Sequence, residues 1–166
     1  MCVYSRLQGL PYSLTWTFLL RSKHLPAMSP YKVLIVDDHE LVRRGLKEIL
    51  RGTDFEVCGE AENGQQGLAQ TISLRPDLVL LDMSMPVLTG LQAAAQIRRL
   101  VPDTKILIVT MHDSPQMEIE ARAAGADAYI TKMAASKSLL EAMRALVGSS
   151  NHSNGSGSHL ALKNPA

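Results

Sequence analysis

Five short apolar runs, each running directly into a polar segment, constrain the fold of this chain more than any other feature. They lie at residues 32–36 (KVLIV), 55–59 (FEVCG), 77–81 (DLVLL), 105–109 (KILIV) and 128–130 (AYI). Runs this short, with little alternation, suit parallel strands covered on both faces. Helical patterns lie between them. Val42, Leu46 and Ile49 fall at i, i+4 and i+7, as do Leu139, Met143 and Leu146, so each set forms one buried stripe. Segments 63–74, 89–100 and 114–124 fill the remaining gaps. Asn63 and Thr89 are read as N-caps, and Gly52 and Gly125 as helix stops. Alternating strand and helix predicts one doubly wound α/β domain, a (βα)5 unit whose five-stranded parallel sheet carries helices on both faces.

The charges mark out the same unit. All 16 acids lie between Tyr31 and Gly148 together with 13 of the 17 bases, so that stretch carries 13 − 16 = −3. The expected domain therefore spans 31–148, between an N-terminal extension (1–30) read as disordered and a flexible tail (149–166) containing NHSNGSGSH. The apolar stretch YSLTWTFLL near the start is shorter than the roughly 20 residues needed to cross a bilayer. It lacks a convincing signal-cleavage site, and Met28 ahead of SPYKVLIV reads as an alternative start. Two cysteines exclude a disulfide scaffold, and Cys58, inside an apolar run, is read as a small core residue.

In an open parallel sheet, ligands bind beyond the carboxyl ends of the strands. Asp37 and Asp38 follow the first run, Asp82 the third, Thr110 the fourth and Lys132 the fifth. Adjacent strands lie about 4.8 Å apart, so these side chains converge on one space. Three carboxylates there repel one another unless a cation joins them, and oxygen donors with open positions suit hydrated Mg2+. Lys132 and the Thr110 hydroxyl complete a cradle for an anion. Metal, carboxylate nucleophile, cation and hydroxyl are the parts that phosphoryl transfer requires. VDDHE after the first run has no glycine, so there is no dinucleotide fingerprint, and no phosphate-binding GxxxxGK[ST] loop occurs. The five histidines show no metal-ligand spacing with the cysteines.

LIVDDHELVRRGL, LVLLDMSMPVLTG, ILIVTMHD and GADAYITK together resemble the receiver domain of two-component response regulators, and the wording around them is most similar to the NarL/FixJ subfamily. The resemblance implies a flavodoxin-like fold and a cytoplasmic phosphorelay protein that is not an enzyme beyond its own phosphorylation and slow dephosphorylation. It implies Asp82 as phosphoacceptor. Mg2+ would be held directly by Asp38 and Asp82, by Asp37 through water and by the Ser84 backbone carbonyl. It further implies Lys132 and Thr110 as phosphoryl-binding groups and Tyr129 as a rotating switch. Ser84 and His112 would stand where the family tunes hydrolysis. The phosphodonor would be a sensor histidine kinase or phosphotransfer protein, and the output a downstream protein contacting the 114–147 face, with homodimerisation a further option.

Two departures accompany this resemblance. Met133 follows Lys132 where many receivers have proline, so a trans bond is expected there. Only 18 residues follow Gly148, too few for the helix-turn-helix domain usual in this branch, so DNA is not supported as a partner of this chain. The alternatives are the receiver part of a DNA-binding regulator whose output domain is missing, and a haloacid-dehalogenase-like phosphatase. The second conflicts with Ser84, which stands where such enzymes carry the second Asp of a DxD pair. Met85-Pro86 is read as the turn that aims the loop, and Arg98-Arg99 as a solvated helix face.

Overall fold

The computed structural model describes residues 29–111 and 113–148. The chain runs β1 (Tyr31–Val36), α1 (Glu40–Leu50), β2 (Phe55–Ala61), α2 (Gly64–Leu74), β3 (Leu78–Leu81), α3 (Gly90–Leu100), β4 (Lys105–Thr110), α4 (Pro115–Ala123), β5 (Ala128–Thr131) and α5 (Lys132–Gly148). The strands form one parallel sheet in the order β2-β1-β3-β4-β5. Winding reverses between β1 and β3, which opens a crevice at their carboxyl ends.

The unbroken apolar character of the strands follows from burial on both faces. Leu34, Val36, Val79, Leu81, Ile106 and Ile108 pack with Ala93, Ala94 and Ile97 of α3 and Ala121 of α4. Val33, Ile35, Leu78, Leu80, Leu107 and Val109 point the other way, onto Leu46 and Leu50 of α1 and Leu139, Met143 and Val147 of α5. Each fully buried aliphatic side chain contributes about 2 kcal/mol of transfer free energy. The α5 stripe thus continues through Val147, and Leu146 is only half-buried against it.

The local signals act where expected. Asn63 accepts the Gln66 N–H at 2.9 Å, and Thr89 and Gln92 exchange a capping box. Gly125 adopts φ 97° after α4, as a helix stop requires. The end of α2 is different: Arg75 takes the left-handed conformation, φ 47°, without glycine's freedom. Cys58 sits where the β1–β2 register slips by one, its thiol 3.4 Å from the Val33 carbonyl, and burial pushes that thiol's pKa up. No helix among the described residues is long and apolar enough to cross a membrane. Residues 1–28 and 149–166, on which the expectations for the two terminal segments rest, fall outside the described residues.

Candidate functional site

Val36 of β1 stands opposite Leu81 of β3, so the residues that follow them, Asp37 and Asp82, emerge side by side. The Asp82 N–H continues the ladder by donating to the Val36 carbonyl at 2.8 Å. Lys132 enters from the β5 side, one residue beyond the Thr110–Thr131 pair. Its Nζ lies 2.6 Å from Asp37 Oδ2 and 2.7 Å from Asp82 Oδ1. The three side chains are 11%, 2% and 5% exposed, so one ammonium links two nearly dry carboxylates.

The second oxygen of each buried acid is held by main chain. Asp37 Oδ1 accepts the His39 N–H at 2.9 Å, and Asp82 Oδ2 accepts the Ser84 N–H at 2.8 Å. Asp38 is more open, 29% exposed, with Oδ1 at 2.7 Å from His39 Nδ1. Among the described residues, donor atoms of Asp37, Asp38 and His39 lie within 4.8 Å of one another. Asp82 joins that group through Lys132. Thr110 is buried at the end of β4, and Ser84 is exposed on the loop after β3. Tyr129 is half-buried against the α3–α4 side of the core, beside a cavity of about 370 Å3 that Pro115, Glu118 and Thr131 also line. His112 lies outside the described residues.

Burial pushes the Asp82 carboxyl above its ordinary range, and the Asp37 charge adds to that. The Lys132 hydrogen bond opposes the rise without cancelling it. Burial pulls the Lys132 ammonium down, yet its bonds to Asp37 and Asp82 reverse this and leave it above its usual value. Burial also raises the Tyr129 phenol. With all three acids ionised the pocket carries −3 + 1 = −2, an excess that a divalent cation matches. The donors are hard oxygens, and the Asp38 side chain is partly open to solvent, so the residues fit Mg2+.

The loop from Asp82 to α3 holds features that the sequence reading passed over. A Cβ on Gly90 would collide with the Asp82 carbonyl oxygen, and the Gly90 N–H donates to the Met83 carbonyl at 2.9 Å. Glycine therefore lets α3 close against the main chain of Asp82. The available signal was a glycine directly after an N-cap threonine, where helix propensity disfavours it. Val87 adopts φ 70°, a strained conformation for a β-branched residue. Arg43 donates to the Asp37 carbonyl at 2.7 Å.

One expectation is overturned. Arg98 is not a solvated face: its guanidinium bonds the carbonyls of Gly125 and Pro102 and the Asp127 carboxylate, which also accepts the Ile106 N–H. The planar fork ties α3 to the start of β4 and to the turn before β5. Arg99 is exposed as expected. The Lys132–Met133 peptide is trans, since the described residues contain no cis bond.

Comparison with known proteins identifies the domain that carries the site. Residues 33–144 match the response regulator receiver domain. Response regulator protein VraR of Staphylococcus aureus is 39% identical over 114 residues, 68% of this chain and 54% of that protein. The chain thus spans about half the length of the curated relatives it matches. A LuxR-family two-component response regulator from Aurantimonas sp. SI85-9A1 superposes with TM-score 0.69 at 31% identity, covering 73% of this chain and 87% of that one. The response regulator domain of Thermotoga maritima CheB gives TM-score 0.67 at 30% identity, covering 72% and 97%.

Proposed function

Since this chain belongs to the response regulator receiver domain family, and so takes the receiver part in a two-component phosphorelay, we propose that Asp82 is its phosphoacceptor and that residues 31–148 form the signalling unit. The observation that carries this reading is the Lys132 ammonium spanning Asp37 and Asp82 at 2.6 and 2.7 Å at the carboxyl edge of the sheet.

A carboxylate oxygen of Asp82 attacks the phosphorus of a phosphohistidine on a sensor kinase or phosphotransfer protein. The P–N bond breaks, the imidazole leaves with its electron pair, and an acyl phosphate remains. When bound, Mg2+ would supply positive charge against the transferring oxygens. Asp38 and Asp82 would hold it directly and Asp37 through water, with the Ser84 carbonyl as a further protein ligand. Lys132 has two anionic partners, so it can exchange Asp82 Oδ1 for a phosphoryl oxygen while Asp37 keeps it in place. The Thr110 hydroxyl takes another phosphoryl oxygen.

The added phosphate brings about −1.5 to −2 charges and strong acceptors, enough to bias a two-state surface. Thr110 then draws inward and Tyr129 turns behind it, which reshapes the 114–147 face for a downstream protein or a second copy of the chain. Ser84 and His112 set the lifetime of the acyl phosphate. The chain works in the cytoplasm, catalysing nothing beyond its own phosphorylation and slow dephosphorylation.

Intact-mass measurement after incubation with Mg2+ and acetyl phosphate tests the assignment. One added phosphoryl group, labile in acid and base and absent from Asp82→Ala, is the expected result. An unmodified mass, or uptake that survives Asp82→Ala, overturns it.

A further inference from the structure

We propose that Arg43 is a positioning residue for the acidic pair, held in that role by Glu60; the inference rests on the metal-site reading above. Consecutive carboxylates in a tight turn repel each other, so the main chain that carries them must be fixed from outside. The Asp37 N–H donates to the Ala61 carbonyl at 3.0 Å, extending the β1–β2 ladder by one residue. Its own carbonyl is taken by Arg43 Nη1 at 2.7 Å, reaching back from the first turns of α1.

The guanidinium is 15% exposed, and its Nε lies 3.4 Å from Glu60 Oε2 without hydrogen-bond alignment. Glu60 is itself anchored. Lys47 Nζ binds its Oε1 at 2.6 Å, and Gln70 Nε2 donates to its main-chain carbonyl at 2.7 Å. A charge relay of Lys47, Glu60 and Arg43 thus ends on the peptide of Asp37 rather than on a carboxylate. That distinction sets the chemistry. A cation bonded to an acid's side chain competes with a metal ion, as Lys132 does. A cation on the carbonyl orients the turn and leaves the carboxylate oxygens for the ion. Arginine's fork reaches Asp37 and Glu60 at once, whereas lysine has a single head.

The test is Mg2+ titration by calorimetry on the full chain, with phosphorylation by acetyl phosphate followed in parallel. Arg43→Gln is expected to weaken Mg2+ binding about tenfold, as loss of an outer-shell partner does. Its phosphorylation rate should recover at saturating Mg2+, which a merely structural defect would not allow. Arg43→Lys should recover part of the affinity. Arg44→Gln, which removes a charge from the same helix but whose partner is Glu40 rather than Glu60 or Asp37, should bind Mg2+ as the unsubstituted chain does. If Arg43→Gln does not fold, Glu60→Gln is read instead and must weaken Mg2+ in the same direction. Undiminished Mg2+ affinity in Arg43→Gln, or in Glu60→Gln where that variant is read, overturns the inference alone. Failure of the unsubstituted chain to bind Mg2+ overturns the site reading and this inference with it.

Discussion

β3 and β5 hand over to their helices in opposite ways. After β3 the chain takes residues 82–89 to reach α3, passing through Val87 at φ 70° and closing on Gly90 against the Asp82 main chain. After β5 no residue intervenes: Lys132 is the first residue of α5, and the Thr131 hydroxyl accepts the Ala134 N–H at 3.2 Å. Asp82 is therefore aimed by local contacts in a strained loop. The cation is aimed by a helix whose buried stripe of Leu139, Met143 and Val147 locks it to the sheet. One position depends on loop chemistry, the other on core packing.

The largest expected effect comes from removing the charge that joins the two. Lys132→Met leaves Asp37 and Asp82 buried without a cation, and breaking a buried pair costs about 3 kcal/mol. Urea unfolding at pH 7 without metal should show that loss, while α5 keeps its apolar anchors. An unchanged midpoint would mean that Lys132 does not bridge the two acids in solution.

Next in size is a change confined to the loop side. Gly90→Ala forces a methyl group toward the Asp82 carbonyl oxygen, and overpacking of this kind costs about 2 kcal/mol. Phosphorylation by acetyl phosphate should slow as well, because the displaced atoms carry Asp82, the proposed phosphoacceptor. A variant with native stability and a native rate would show that the loop does not aim Asp82.

The comparison also explains what could be read from sequence. Asp37, Asp38, Asp82 and Lys132 were legible because parallel strands deliver whatever follows an apolar run to one edge. The caps at Asn63 and Thr89 were legible because side-chain chemistry decides them locally. Arg98 was misread because its partners, Gly125 and Asp127, lie far along the chain and only the fold brings them under α3. Arg43 escaped for a similar reason: it acts on the main chain of an aspartate, and a backbone partner leaves no mark in its residue type, whereas Gly90 left only the signal of a glycine just inside an N-cap. The start of α5 at Lys132 was hidden because the apolar stripe begins only at Leu139.

A smaller effect should have the opposite sign. Burial raises the Asp82 carboxyl above 3.8, so the folded state binds that proton more tightly than the unfolded chain does. The resulting stability is fully present below about pH 3.8 and is lost as pH rises through the folded value. At pH 7 the ionised group is a net cost, with Lys132 shared between two acids. Asp82→Asn, melted in EDTA, should gain about 1 kcal/mol at pH 7, or roughly 4 °C in Tm. The gain should shrink as pH falls toward 4. A gain that grows on acidification would contradict burial as the cause.

The finest distinction between the junctions is the sign of a glycine substitution. Val87 is 77% exposed and holds φ 70°, so replacement by glycine forfeits little packing and releases backbone strain of about 1–3 kcal/mol. Glycine's added freedom in the unfolded chain takes back about 1 kcal/mol, leaving a net gain of up to about 2 kcal/mol for Val87→Gly. Met133 is 82% exposed but lies in the first turn of α5, where glycine relieves nothing. Met133→Gly should cost up to about 1 kcal/mol. Urea midpoints that move in opposite directions would separate a strained loop from a regular helix start. Midpoints that move the same way would mean that Val87 carries no strain, and the loop and helix junctions would then differ in length alone.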